Sequence, residues 1–118
     1  MNRSRQDIPV TDFEISLKRL GGDKKLLMTL AGFFLEDAPC LMRQLEDALH
    51  SGDLKLLALR VHSLKGLSST FEALPFRQVA SEIELLARPG NEQLVEQKLP
   101  QLKMEFDRLV LELQSLAT

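Results

Sequence analysis

The chain has one cysteine, two histidines, no tryptophan and no tyrosine. A lone Cys40 cannot close an internal disulfide and excludes zinc motifs built on several cysteines, which points to a reducing compartment. No apolar run approaches the roughly 20 residues that a membrane-spanning helix needs, and the polar start MNRSRQD lacks the apolar core of a signal peptide. Neither sign of charge is in excess: 15 basic and 17 acidic residues leave a formal net charge of -2, without the basic surplus of a nucleic-acid binder. Strand-like alternation, long-period repeats and low-complexity tracts are also missing. Together these absences predict a soluble, cytoplasmic protein that binds neither nucleic acid nor membrane.

What is there suits one helical domain. The chain has 118 residues, 44% of them apolar, enough to bury a core without staples. Residues 1–10 carry only isolated apolar side chains and are expected to form a flexible leader, leaving 11–118 as the domain. From Asp12, the residues Phe13, Leu17 and Leu20 recur at helical spacing up to Gly21-Gly22, predicting a short first helix. Asp23 then caps a long segment whose apolar face is marked by Leu27, Leu30, Phe34, Leu41, Leu45 and Ala48. Pro39 interrupts it at a cost of about 3 kcal/mol or more, so a kink near Ala38 is expected, with two shorter helices as the alternative.

Asp53 opens the third helix, with Leu54, Leu57, Ala58, Val61, Leu64 and Phe71 inward. Pro75 fits the first turn of a fourth helix running to about Arg88, stopped by Pro89-Gly90. The last helix begins near Asn91 and carries the stripe Leu99, Leu102, Phe106, Leu109, Leu113 and Leu116, with Pro100 as a further kink. Connections as short as Ser51-Gly52 force neighbours antiparallel. The expected fold is therefore all-α: an antiparallel up-and-down four-helix bundle with the first short helix as a lid.

One strip of the third helix carries the chemistry. His62, Lys65, Gly66 and Ser69 follow i, i+3, i+4, i+7, and His62 lies roughly 100° round from Val61, so its ring should emerge at the bundle surface. Glycine inside a helix costs about 1 kcal/mol relative to alanine, and nothing local demands a positive φ at Gly66. An absent side chain one turn from the histidine opens space for another protein's loop, and Lys65 offers a compact positive charge to phosphate oxygens. The plainer readings are an inert surface histidine and a glycine serving close packing. Their joint spacing favours a phosphoryl-accepting site.

The run VHSLKGLSSTFEAL resembles the H-x-L-K-G segment of histidine-containing phosphotransfer (HPt) domains of bacterial multistep phosphorelays, and the Asp37-Ala38-Pro39 step and the Gly-Asp turn match the family's preceding helix. The resemblance covers most of the chain. It implies that His62 is phosphorylated, Lys65 neighbours the phosphate, and Gly66 lets a receiver domain approach. Glu84 falls where the family often has Gln or Glu reaching the imidazole, which would fix Nδ1-H and leave Nε2 as nucleophile; a solvated glutamate is the alternative. Arg88, one turn on, would join Ser69 in the docking surface or serve as a helix-end cation. Leu59 and Leu67 fall outside the inward stripe and are candidates for an apolar receiver-docking patch around the histidine; covering the first helix is the alternative, preferred for Leu67 and left open for Leu59. Val61, Leu67 and Glu72 depart from the family's frequent alanine, small residue and glycine.

The implied partners are response-regulator receiver domains, with a hybrid sensor kinase as one possible bearer. The implied mechanism needs no cofactor in this chain, since Mg²⁺ belongs to the receiver. Gly21-Gly22-Asp23-Lys24-Lys25 lacks the spacing of a P-loop, which argues against an ATP site and autonomous turnover. His50 and His62 match no metal spacing; His50 is expected as a helix-end cation, and Cys40 as a small buried filler. A monomer is predicted. The rival readings are a non-catalytic helical adaptor and the phosphoacceptor module of a chemotaxis-type kinase.

Overall fold

The computed structural model describes residues 8–117. Five helices follow in order: α1 (Phe13–Arg19), α2 (Lys24–Ser51), α3 (Leu54–Ser69), α4 (Leu74–Leu86) and α5 (Glu92–Ala117), with no strand among the described residues. The starts of α1, α2 and α3 are set by aspartates. Asp12, Asp23 and Asp53 each accept a hydrogen bond from the backbone N–H three residues on, at 3.2, 2.9 and 3.0 Å, satisfying donors that a helix start leaves orphaned. α2 ends at Gly52, whose φ of 76° is the left-handed cap that glycine adopts without a steric penalty.

α2 packs against α3 and α5, and α4 against the same two, so the four long helices form a ring. The direction of α3 relative to α2 is antiparallel. Gln44, Asp47 and Ser51 near the end of α2 line a groove with Leu56 and Arg60 early in α3, whereas Phe34 meets Phe71, just beyond α3, edge to face at 5.8 Å. Phe106 of α5 completes the aromatic centre, with ring centroids 6.1 Å from both Phe34 and Phe76. Ion pairs Lys103–Glu46 and Lys98–Glu82 tie α5 to α2 and to α4. The short α1 sits over one end: Asp12 N–H donates to the Phe71 carbonyl at 3.1 Å, and Arg19 pairs with Glu72. It is the expected lid.

Several local expectations need correction. α2 is one continuous helix through Pro39, so the two-helix alternative is excluded, and α5 likewise runs unbroken through Pro100. The centre of the α2 face is Leu27, Ala31, Phe34, Ala38, Met42 and Leu45, while Leu30 and Leu41 lie half-buried at its flanks. Small alanines seat α2 against its neighbours, and leucine spacing alone does not reveal this. α4 stops at Leu86 rather than near Arg88. Cys40 is exposed, its Sγ accepting from Gln44 Nε2 at 3.4 Å, and is not a buried filler. Residues 1–7 of the expected leader lie outside the described residues, and Val10, counted with it, packs against the core.

Glu72 takes a φ of 52° in the turn after α3, at the position where the resemblance has a frequent glycine. A side chain in that left-handed conformation costs about 1 kcal/mol, and the Arg19 ion pair offsets part of it. Glu105 is fully buried on α5 and is held by Arg108 Nη1 at 2.7 Å, so its charge is partnered. No helix of the described residues is long and apolar enough to cross a membrane.

Candidate functional site

Burial of Val61 and Leu64 against the core fixes the rotation of α3, and that rotation turns His62 outward. Its side chain is 76% exposed. α4 runs alongside and brings Glu84, twenty-two residues away in sequence, against the ring: His62 Nδ1 and Glu84 Oε2 are 3.0 Å apart. The other carboxylate oxygen, Oε1, accepts from Lys65 Nζ at 3.2 Å. One glutamate thus bridges the histidine and the lysine.

The charge of Glu84 decides the ring's tautomer. Burial raises its carboxyl pKa, but the hydrogen bonds from Lys65 and His62, with their charges, outweigh burial and leave it below the ordinary glutamate value. An ionised carboxylate only accepts, so Nδ1 must carry the proton, and in the neutral ring Nε2 keeps its lone pair. A carboxylate with a lowered pKa contributes stability that is present above the ordinary value of 4.5 and is lost as pH falls through the lowered value. Replacement Glu84→Gln therefore removes one acid-dependent component of unfolding free energy below about pH 4.5. Urea unfolding of both proteins between about pH 3 and 6 checks this; parallel profiles would contradict it.

Gly66 lies inside α3, with no positive φ, and an added Cβ would meet no atom within 4 Å. Close packing within the chain does not demand the glycine. Ser69 shares the strip but turns its hydroxyl onto its own helix, donating to the Gly66 carbonyl at 2.6 Å. Arg88 stands exposed beyond the Ala87 cap that ends α4, so the one-turn relation to Glu84 is broken there. Leu59 and Leu67 are exposed by 55% and 39%. His50 sits in the last turn of α2, as expected of a helix-end cation.

The lysine's partner escaped the sequence, because a link between α3 and α4 has no local periodicity to betray it. Among the described residues no group of three or more His, Cys, Asp or Glu side chains is placed to hold a metal ion. What the arrangement offers is an exposed imidazole nucleophile, a carboxylate that absorbs charge developing on the ring, and an ammonium within reach of it.

The family model described as Hpt domain matches residues 29–112, a span that contains His62, Lys65, Gly66 and Glu84. No curated protein matches the sequence. Among solved structures, the crystal structure of histidine-containing phosphotransfer protein B (HptB) from Pseudomonas aeruginosa PAO1 superposes with a TM-score of 0.82 at 26% identity, covering 92% of this chain and 95% of that one. With its helical bundle and a match over most of its length, the chain belongs to the Hpt-domain family.

Proposed function

We propose that His62 is the residue through which this Hpt-domain protein carries out histidine phosphotransfer in a phosphorelay, passing a phosphoryl group between receiver-domain aspartates. The observation that carries the assignment is the 3.0 Å contact of Nδ1 with Glu84 on a ring that is 76% exposed. The Nε2 lone pair attacks the phosphorus of a receiver's aspartyl phosphate in line, the Nε2–P bond forms, and the P–O bond breaks to return the aspartate as carboxylate. The Nδ1 proton stays where it is. The ring becomes cationic during the step, and the Glu84 carboxylate stabilises that charge.

Lys65 starts paired with Glu84 and turns toward the phosphoryl oxygens as they arrive, a short reorientation of a flexible side chain. Most of the catalysis is positioning and charge neutralisation, with Mg²⁺ supplied by the receiver. This chain then needs no cofactor and no ATP site, and it has no turnover of its own. The working form proposed is a cytoplasmic monomer whose partners are response-regulator receivers, including those of hybrid sensor kinases.

Incubation with a phosphorylated receiver tests the reading: acid-labile, base-stable label should appear on this protein, and its absence across a panel of receivers would support a non-catalytic adaptor instead. The role given to Gly66 makes a paired prediction. Gly66→Ala should raise stability by about 0.5–1 kcal/mol, since the site is helical and open, yet slow transfer from the receiver. A stabilised variant that transfers at the wild-type rate would remove Gly66 from the docking argument.

A further inference from the structure

Among the described residues, Glu72 is the one non-glycine held in the left-handed region, with a φ of 52°. The turn around it closes through the backbone: the N–H groups of Phe71 and Glu72 donate to the carbonyls of Ser68 and Ser69 at 3.1 and 3.2 Å, and that of Leu74 to the Glu72 carbonyl at 2.8 Å. Glycine would make the same bonds without the steric cost of a Cβ. The reason for a side chain therefore lies outside the turn. Arg19, at the end of α1, is the carboxylate's partner, and the Glu72 oxygen that it meets is shut off from water.

α1 is clamped to this turn at both ends. At its start the Asp12 N–H donates to the Phe71 carbonyl at 3.1 Å, and at its end Arg19 holds the neighbouring Glu72. Between these anchors Phe13, Leu17 and Leu20 are only half-buried against the core. A helix of 7 residues falls well short of the roughly 12–15 that stand alone in water, so α1 persists only while it is docked. It joins α2 through Gly21 and Gly22, whose φ values of 68° and 80° are both left-handed, a pair that swings without a side chain in the way.

We infer that α1 is a latched lid that opens as one unit about Gly21-Gly22, with the Glu72 carboxylate as its catch and ionic strength as its control. The strained φ is what it takes to put a carboxylate where a glycine fits. Arg19 is 62% exposed and Glu72 20%, so dissolved ions reach the pair from the Arg19 side and screen it. The dry oxygen of Glu72 makes the catch firm, because losing Arg19 leaves that oxygen without a partner. Closed, the lid fixes the end of the helix that carries His62. Opened, it releases both anchors on Phe71 and Glu72 and uncovers the apolar side chains beneath Phe13 and Leu17.

Native-state hydrogen exchange read by NMR, with urea unfolding beside it, tests the lid on wild type, Glu72→Gly, Arg19→Gln and the double variant. In wild type the hydrogen-bonded amides of α1 should exchange through one common opening, ahead of the core amides of α3. Either single substitution should speed that exchange about fivefold, the worth of a partly exposed ion pair. The double variant should add nothing further, because both side chains act through one contact. In urea the two should part. Arg19→Gln should lower the midpoint, since a buried carboxylate oxygen loses its partner, whereas Glu72→Gly should leave it at or above wild type, since the strain goes with the side chain. Raising NaCl from about 0.05 to about 0.5 M should speed α1 exchange in wild type and not in Glu72→Gly. Amides of α1 as protected as those of the α3 core would overturn the lid. Exchange unchanged in Glu72→Gly, or additive in the double variant, would overturn the catch, and exchange in wild type indifferent to salt would overturn the control.

Discussion

Changing His62→Gln should abolish acid-labile label from a phosphorylated receiver, a loss of at least about a thousandfold in transfer, because a primary amide at neutral pH has no basic lone pair to offer phosphorus. The fold should be unaffected. His62 is 76% exposed and contributes one partly solvated contact, with Glu84, and a surface pair of that kind is worth about 0–1 kcal/mol. Receiver binding should also persist, since glutamine keeps similar volume. Gel shift or calorimetry with the unphosphorylated receiver, run beside the labelling assay, separates the two properties. A variant still labelled at the wild-type level would move the phosphoryl group to a residue other than His62.

Phe71→Ala should cost about 3–5 kcal/mol of stability, a large part of the roughly 5–15 kcal/mol that holds a domain together. The side chain is 1% exposed, meets Phe34 edge to face, and follows directly on α3. Its removal leaves a cavity under the lid, since its carbonyl accepts the Asp12 N–H that docks α1. The melting temperature should drop by more than about 10 °C, whereas the exposed Leu111→Ala should stay within about 0.5 kcal/mol of wild type. Urea denaturation reads both, with an unchanged slope if the native state keeps its compactness. A loss under about 1 kcal/mol would mean that the centre of the bundle collapses to fill the space.

The aspartate caps, the glycine stops and the three-four spacing of α3 and α5 are local features, and they place five helices with ends mostly within a residue or two. Local rules fail where tertiary packing outweighs them. Pro39 loses one hydrogen bond, yet Ala38 and Met42 on either side of it are buried against the core, and that burial keeps α2 continuous. Arg88 shows the reverse: helical spacing carries it one turn beyond Glu84, but α4 stops at Leu86 ahead of the Pro89-Gly90 turn.

The site divides along the same line. His62, Lys65 and Gly66 share one helix, so a single periodicity aligns them, and the sequence by itself determined both the strip and its place at the surface. Glu84 could be singled out only through a family resemblance, since nothing local links α4 to α3. That Glu84 bridges the imidazole and the ammonium, and that Gly66 has no internal clash to avoid, were decided by the tertiary structure alone. The physical reason is that each depends on the rotation and register of one helix against another, which burial of the whole core sets and no short stretch of sequence encodes.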